Sequence, residues 1–189
     1  MTTQAPKKKN SVIITLIAGG IFLIGAALLP LLEQARDSAI DVSASIRLPA
    51  AANYAAPELS LSDLQGNSVS LEDHRGQVVL VNNWATWCPP CKAEMPALQS
   101  YFSLHAGEGL VVVAIESGEA AADVAAFVDQ YGLTFPVWLD PQGAALEAFR
   151  NWNLPSTYII DRTGTVVYSW TGEVNLETLE TYVTPLLEN

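Results

Sequence analysis

The chain has little cysteine and little histidine, and each shortage excludes a class of site. Its 189 residues include two cysteines, Cys88 and Cys91, and two histidines, His74 and His105. Two thiolates are too few ligands for a closed zinc site, and neither histidine stands at ligand spacing from them. No cysteine lies near the N-terminus, which excludes a lipid anchor there. We therefore predict no resident metal and no lipid anchor on a cysteine near the N-terminus.

Basic residues are also scarce. Nine lysines and arginines stand against twenty aspartates and glutamates, so the formal net charge is −11. All of the acidic residues but only six of the basic ones follow residue 32, so that portion of the chain carries about −14. Such a surface repels nucleic acid and anionic lipid headgroups, and it slightly favours neutral or basic protein partners. The alternative is a solvated surface that has no bearing on partners.

One segment is long and apolar enough to cross a membrane. Residues 11–32 contain no charged side chain, and their number is about what the hydrocarbon layer of a bilayer requires. Three lysines at residues 7–9 precede the segment and Glu33 follows it. The positive-inside rule therefore predicts a single-pass anchor with residues 1–10 in the cytoplasm and the rest of the chain outside. The alternative is a cleaved signal peptide, whose apolar region is usually shorter.

A linker and one folded domain are predicted after this anchor. Residues 33–56 are rich in alanine and serine and show no sustained apolar period, which indicates a linker. Residues 57–189 alternate apolar strands with helices, which predicts an α/β domain with a largely buried mixed sheet. We expect strands at 59–61, 68–71, 77–83, 110–116, 135–139, 156–160 and 166–170, and helices at 90–105, 120–131, 143–149 and 176–187.

The two cysteines lie where a predicted strand passes into a predicted helix. Two residues separate Cys88 from Cys91, a spacing at which both sulfurs can meet at the first turn of a helix and form a small disulfide ring. A helix that begins at about Pro89 places Cys88 at its N-cap, where the helix dipole favours the thiolate. We therefore assign Cys88 as the attacking thiolate and Cys91 as the resolving thiol.

The two residues between the cysteines bear on the direction of electron flow. Pro89 and Pro90 have no N–H, so mainly the amide of Cys91 is left to stabilise a Cys88 thiolate. Strong stabilisation of the reduced form makes a dithiol pair oxidising, so weaker stabilisation favours a reductant. An oxidase or isomerase would use the same residues in the opposite direction.

Three other roles for the cysteines compete with redox catalysis. A permanent structural disulfide is one, although a ring this small removes little loop entropy. Carriage of a metal such as copper by the two thiolates is the second. A peroxide-reducing thiol is the third; it would need a proline and a threonine before a lone cysteine, but Thr86 stands two residues before Cys88, and Val81 occupies the place expected for the proline.

At these residues the chain resembles a known family. NNWATWCPPCKAEMP, residues 82–96, is similar to the membrane-anchored TlpA/ResA-like branch of the thioredoxin superfamily. LPST at residues 154–157, followed by YIID, resembles the cis-proline loop and next strand of that superfamily. The resemblance spans about residues 56–188. It implies a thioredoxin-like fold, in which a central mixed sheet is flanked by helices and extended by an N-terminal β-hairpin.

The resemblance and the residues together predict the rest of the site. Glu94 matches a glutamate of the ResA-like motif and lies three positions after Cys91, where burial would raise its pKa and allow proton exchange with Cys91. The alternative is an exposed helix carboxylate. Pro155 is expected to follow a cis bond, the alternative being a trans proline in a turn. Trp87, Pro89 and Leu154 are predicted to contact substrate, Leu154 through its backbone.

Neighbouring residues receive structural interpretations. Asn82 occupies the place where many thioredoxins carry a buried acid, and its amide cannot titrate, so proton traffic would use Glu94 or water. We expect Trp84 and Met95 to pack in the core. Solvated loop carboxylates are expected at two further positions, Glu116 and Glu119, the alternative being that they rim the same cleft as Pro155. Asn83, beside Asn82, occupies a position where an aromatic or apolar residue is expected.

The resemblance also implies partners. The predicted activity is thiol–disulfide exchange by the Cys88–Cys91 pair, with no other cofactor. A dithiol that reduces its partners outside the cytoplasm needs electrons from across the membrane, so a membrane thiol donor is implied. The implied client is the oxidised haem-attachment cysteine pair of apocytochrome c, with a copper-site disulfide of an oxidase subunit as the nearest alternative.

Overall fold

The structure is a computed structural model, and it describes residues 48–188. One eight-stranded sheet runs through this part of the chain, in the order β1-β8-β7-β4-β5-β6-β2-β3. The β4–β5 and β5–β6 pairs are parallel and the others are antiparallel. The strands are β1 Ala50–Ala55, β2 Ser60–Asp63, β3 Ser68–Ser70, β4 Val78–Trp84, β5 Leu110–Ser117, β6 Val137–Asp140, β7 Ser156–Ile160 and β8 Thr165–Thr171.

Five helices and a short 3-10 helix complete the described chain. The α-helices are α1 Pro89–His105, α2 Ala121–Tyr131, α3 Ala144–Ala148, α4 Leu176–Tyr182 and α5 Thr184–Leu187, and the 3-10 helix is Leu71–His74. These elements confirm the predicted thioredoxin-like α/β architecture, including the antiparallel β2–β3 hairpin. Except at the two ends of the domain, the predicted bounds differ from the observed ones by at most two residues.

The central strand β4 is buried along its whole length because side chains cover both faces of the sheet. On one face, Val78 and Leu80 join a core with residues of α1, α2 and α4. On the other face, Val79 and Val81 pack with residues of α3 and the β2–β3 hairpin. The predicted core residues Trp84 and Met95 are buried on the first face. The end of β4 is therefore held firmly where the chain enters the cysteine motif.

At its N-terminal end, the domain begins earlier than the sequence indicated. The predicted linker included residues 50–55, but these residues form β1 and pair with the antiparallel strand β8, for example Ala50 with Ser169 and Ala55 with Thr165. Most of this edge strand is exposed, so it needs no alternation of apolar and polar residues, and it has none. The remainder of the predicted linker before residue 48 lies outside the described residues.

The predicted C-terminal helix at 176–187 is two helices. α4 ends at Tyr182, Val183 separates them, and α5 begins at Thr184 with Pro185 in its first turn. Proline lacks the N–H that a continuous helix would need at that position, which accounts for the break.

The predicted anchor at residues 11–32 lies outside the described residues. Within residues 48–188, no helix is both long enough and apolar enough to span a bilayer. The anchor and the orientation deduced from it stay predictions.

Candidate active site

The cysteine pair lies at the junction of β4 and α1. Cys88 is the N-cap of α1, with Pro89 as its first residue, and the Cys91 N–H donates to the Cys88 sulfur at 3.3 Å. The two cysteines form a disulfide with a Cα–Cα distance of 5.3 Å. Both features agree with the placement predicted from the sequence. The Cys91 amide is therefore in position to stabilise a thiolate on Cys88 once the disulfide is reduced.

The surroundings of the disulfide differ at its two sulfurs. Cys88 keeps 3% of its surface exposed, whereas Cys91 is fully buried. Trp87, Pro89 and Pro90 are exposed around Cys88, and the side chain of Trp87 is 65% exposed. A partner molecule therefore has access to Cys88, through a narrow opening with an apolar rim, and has none to Cys91.

A proline loop lies at the same end of the sheet. The Leu154–Pro155 peptide bond is cis, as the resemblance implies. Ser156 pairs with Asn83 near the end of β4, so Pro155 stands where β4 passes into the cysteine motif. Leu154 is half-buried against the same core cluster that contains both cysteines. The structure thus brings together the two predicted motifs, which are distant in sequence.

Glu94 is buried on the inner side of α1, one turn after Cys91. Its Oε1 accepts from the side-chain amide of Asn82 at 2.9 Å, and its Oε2 accepts from the backbone N–H of Val174 at 3.1 Å. Burial raises the pKa of Glu94 to about 8, although both hydrogen bonds favour its charged form. The alternative of an exposed helix carboxylate is therefore wrong.

Two asparagines of β4 fasten this region to β7. Asn82 Nδ2 donates to Thr157 Oγ1 at 3.0 Å as well as to Glu94, and Asn83 Nδ2 lies 3.5 Å from Ser156 Oγ. Both asparagines are fully buried. A polar side chain at Asn83 is therefore accommodated by a polar neighbour on the adjacent strand, where the sequence had indicated an apolar residue.

The expectation of solvated carboxylates at two positions is wrong. Glu116 belongs to β5 and is fully buried, and Glu119 is half-buried beside the cysteine motif. The carboxylate of Glu119 accepts from both the N–H and the hydroxyl of Thr86. Glu116 lies within β5 between Trp84 of β4 and Leu139 of β6, and the N–H of Glu119 in the loop after β5 donates to its Oε2.

Comparison with known proteins agrees with this geometry. The family model described as AhpC/TSA matches residues 52–169. A thiol-disulfide oxidoreductase ResA of Geobacillus kaustophilus is 37% identical over 128 residues, which cover 68% of this chain and 74% of that protein. The chain belongs to the AhpC/TSA family and is a ResA-like thiol–disulfide oxidoreductase.

Solved structures resemble the ResA-like fold closely. A thiol:disulfide interchange protein DsbE from Chlorobium tepidum has a TM-score of 0.67 at 28% identity, over 72% of this chain and 97% of that one. A secreted thiol-disulfide isomerase from Corynebacterium glutamicum has a TM-score of 0.66 at 25% identity, over 71% of this chain and 86% of that one.

The structure adds one exposed aromatic residue that the sequence did not single out in this ResA-like site. Trp152 stands three residues before Pro155 and is 67% exposed. Asn151 fixes the loop around it: its Oδ1 accepts from the Asn153 N–H at 3.1 Å and its Nδ2 donates to Thr171 Oγ1 at 3.0 Å. The position of this tryptophan, three residues before Pro155, was the feature of the sequence that could have indicated an exposed aromatic residue near the site.

Proposed function

We propose that this ResA-like oxidoreductase reduces protein disulfides outside the cytoplasm, tethered to the membrane through residues 11–32. The observation that carries the proposal is the N-terminus of α1. The Cys91 N–H donates to the Cys88 sulfur, while Pro89 and Pro90 have no N–H to add. A thiolate held by so few donors is weakly stabilised, which makes the dithiol form a better reductant.

The exchange begins at Cys88, the more accessible of the two cysteines. Its thiolate attacks one sulfur of a client disulfide, the Cys88–client bond forms as the client disulfide breaks, and the departing client sulfur takes a proton from water. Cys91 then attacks the Cys88 sulfur. The Cys88–Cys91 disulfide forms, the second client sulfur leaves and is protonated, and two electrons have passed to the client.

Glu94 supports the second step as a proton acceptor for Cys91. Cys91 and Glu94 are one helical turn apart and both fully buried, so the Cys91 proton has little access to bulk water. Ionised Glu94 takes that proton as Cys91 becomes a nucleophile, directly or through a water molecule. When a donor thiol re-reduces the disulfide, Cys91 departs as a thiolate and recovers the proton from Glu94.

The client lies across an apolar rim. Trp87, Pro89 and Trp152 offer exposed apolar surface near Cys88 and the proline loop, and Leu154 presents backbone groups to an extended segment. Client disulfides in flexible, extended segments suit this surface. The haem-attachment cysteines of apocytochrome c are the proposed client, and a membrane thiol donor is the proposed electron source, both carried over from the ResA-like resemblance.

A disulfide isomerase is the second candidate. It is favoured by the likeness to the secreted thiol-disulfide isomerase, and it would use the same cysteines with a higher reduction potential.

Trapping tests the proposed client. Full-length Cys91→Ser in its native membrane should leave Cys88 joined by a disulfide to the proteins it attacks, because the resolving thiol is gone. Identification of apocytochrome c in the trapped complexes supports the proposal. Recovery of other proteins instead contradicts this client, and a Cys88→Ser/Cys91→Ser control should trap none.

A further inference from the structure

A carboxylate outside the predicted site holds the segment that leads into Cys88. Glu119 Oε2 accepts from the backbone N–H of Thr86 at 2.7 Å, and Glu119 Oε1 accepts from the Thr86 hydroxyl at 2.5 Å. Thr86 stands two residues before Cys88, and the Cys88 N–H donates to the Ala85 carbonyl oxygen at 3.2 Å. Both hydrogen-bond donors of Thr86 therefore bind Glu119, and this fixes the turn that leads to Cys88 at the N-cap of α1.

Glu116 contacts Glu119 and holds its backbone in place. It is fully buried in β5, level with Trp84 of β4 and Leu139 of β6, and its Oε2 accepts from the backbone N–H of Glu119 at 3.2 Å. Its Oε1 meets no donor among residues 48–188. An ionised carboxylate with a buried, unpartnered oxygen is costly, whereas a neutral acid has a hydroxyl that can donate to the neighbouring carboxylate of Glu119.

We propose that Glu116 and Glu119 form a carboxylic acid–carboxylate pair that positions Cys88 by holding Thr86. Glu116 carries the proton and Glu119 carries the charge. In this arrangement both are positioning residues, since neither touches the reacting sulfurs. The proposal rests on the exchange chemistry of the Cys88–Cys91 pair and is independent of the client and of the direction of electron flow.

The charged groups around the pair agree with this division of roles. Burial and the neighbouring Glu119 raise the pKa of Glu116 to about 8, and Asp140 of β6 acts in the same direction. Glu119 has its pKa lowered, because the hydrogen bonds from Thr86 and Glu116 and the charge of Lys92 on α1 outweigh the opposing effect of burial. Above about pH 8, Glu116 loses its proton, two negative charges face each other, and the hold on Thr86 weakens.

Two substitutions of Thr86, one without the hydroxyl and one with it, test whether its bond to Glu119 positions Cys88. In full-length Cys91→Ser, the rate of Cys88 alkylation by iodoacetamide reports how much thiolate is present and how well it is placed. Thr86→Val removes one of the two hydrogen bonds to Glu119, and we expect alkylation at neutral pH to slow by roughly two- to tenfold. Thr86→Ser keeps the hydroxyl and should retain the original rate. Equal rates for Val and Ser would overturn the proposal.

The Glu116→Gln variant tests whether Glu116 carries the proton of the pair. Its amide can still donate to Glu119 but cannot ionise. In the Glu94→Gln/Cys91→Ser chain, which lacks the other buried acid with a pKa of about 8, the pH profile of alkylation should depart from a single-group titration near the Glu116 pKa of about 8, and Glu116→Gln should restore a single-group curve. A departure that persists in Glu116→Gln would contradict the assignment.

Infrared spectroscopy provides a measurement that does not depend on the folding of Glu116→Gln. Two buried acids, Glu94 and Glu116, have a pKa of about 8. The Glu94→Gln variant should therefore keep one carboxylic acid carbonyl band at neutral pH, and that band should disappear as Glu116 ionises. If Glu94→Gln shows no protonated carboxylic acid at neutral pH, the acid–carboxylate pair does not exist.

Discussion

The side-chain amide of Asn82 donates to Glu94 Oε1 at 2.9 Å, and this bond joins the central strand to the active-site helix one turn after Cys91. It connects a side chain that cannot titrate with a buried acid that can. Loss of Glu94 should therefore remove the proton acceptor for Cys91, whereas loss of Asn82 should shift the pKa of that acceptor.

Replacement of Glu94 by Gln tests its proton role. Without a carboxylate to accept the Cys91 proton, release of glutathione from a Cys88–glutathione mixed disulfide should slow by about tenfold or more. The rise in release rate near the Glu94 pKa of about 8 should also disappear. Stopped-flow measurement of release against pH checks both points, and an unchanged profile removes Glu94 from the mechanism.

Asn82→Ala should raise the pKa of Glu94 further. The Asn82 hydrogen bond favours the charged form of Glu94, so its loss leaves burial less opposed. The alkaline rise in glutathione release should then shift to higher pH, by about one unit for a charge-assisted hydrogen bond. In a Glu94→Gln background, where the alkaline rise is absent, Asn82→Ala should leave the profile unchanged; a new pH dependence there would mean that Asn82 acts on another group.

The free energy of unfolding should fall as the pH rises from about 4.5 to about 8. Over this range folded Glu94 and Glu116, whose pKa values are raised from 4.5 to about 8, bind more protons than the unfolded chain does. Each group lowers the free energy of unfolding as the pH rises, and the loss levels off above its folded pKa. Urea unfolding against pH measures the slope.

The matched variants locate the source of that slope. Glu94→Gln/Glu116→Gln should flatten it below about pH 6, because neither amide titrates and His105, whose pKa Glu108 and Glu180 raise, adds a slope only above its ordinary value of 6.5. Glu58→Gln, which changes an exposed carboxylate, should leave the slope as it is. A slope that survives below about pH 6 in the double variant would show that groups other than Glu94 and Glu116 cause it.

The exposed tryptophans should matter for client binding and not for folding. Trp87→Ala and Trp152→Ala should each raise KM for a peptide disulfide by about fivefold or more, as expected for an aromatic anchor. Both side chains are about two-thirds exposed, so the free energy of unfolding should change by no more than about 0.5 kcal/mol.

Leu104→Ala is the control for this experiment. Leu104 is comparably exposed, at 62%, but lies near the far end of α1, about 24 Å along the helix from Cys88. It should leave KM unchanged. Equal effects of Leu104→Ala and the tryptophan variants would contradict a specific client surface.

Local sequence patterns were sufficient to predict the core of the site. The apolar run of β4 indicated a strand with two buried faces, and the spacing of Cys88 and Cys91 indicated a helix N-terminus, because both depend on neighbouring residues alone. The burial of Glu94 was also accessible, since it lies on the same helical face as Cys91. The proline loop required the family resemblance, because nothing local relates Pro155 to Cys88.

Contacts made across the fold could not be predicted. The partner of Glu94 Oε2 is the backbone N–H of Val174, eighty residues away, and no sequence pattern records it. The burial of Glu119 depends on how the loop after β5 packs against Thr86, and that of Glu116 depends on the strands on either side of β5, so no local pattern records either. β1 escaped prediction because an exposed edge strand of small residues has no apolar period.

The reduction potential of the Cys88–Cys91 pair tests the central claim most directly. Full-length protein equilibrated in thiol–disulfide buffers of defined potential, then quenched and alkylated, gives the fraction reduced at each potential. The sparse hydrogen bonding to the Cys88 sulfur predicts a potential below about −200 mV, toward the roughly −270 mV of thioredoxin. A potential near about −120 mV, that of a strong disulfide donor, would contradict a reducing role.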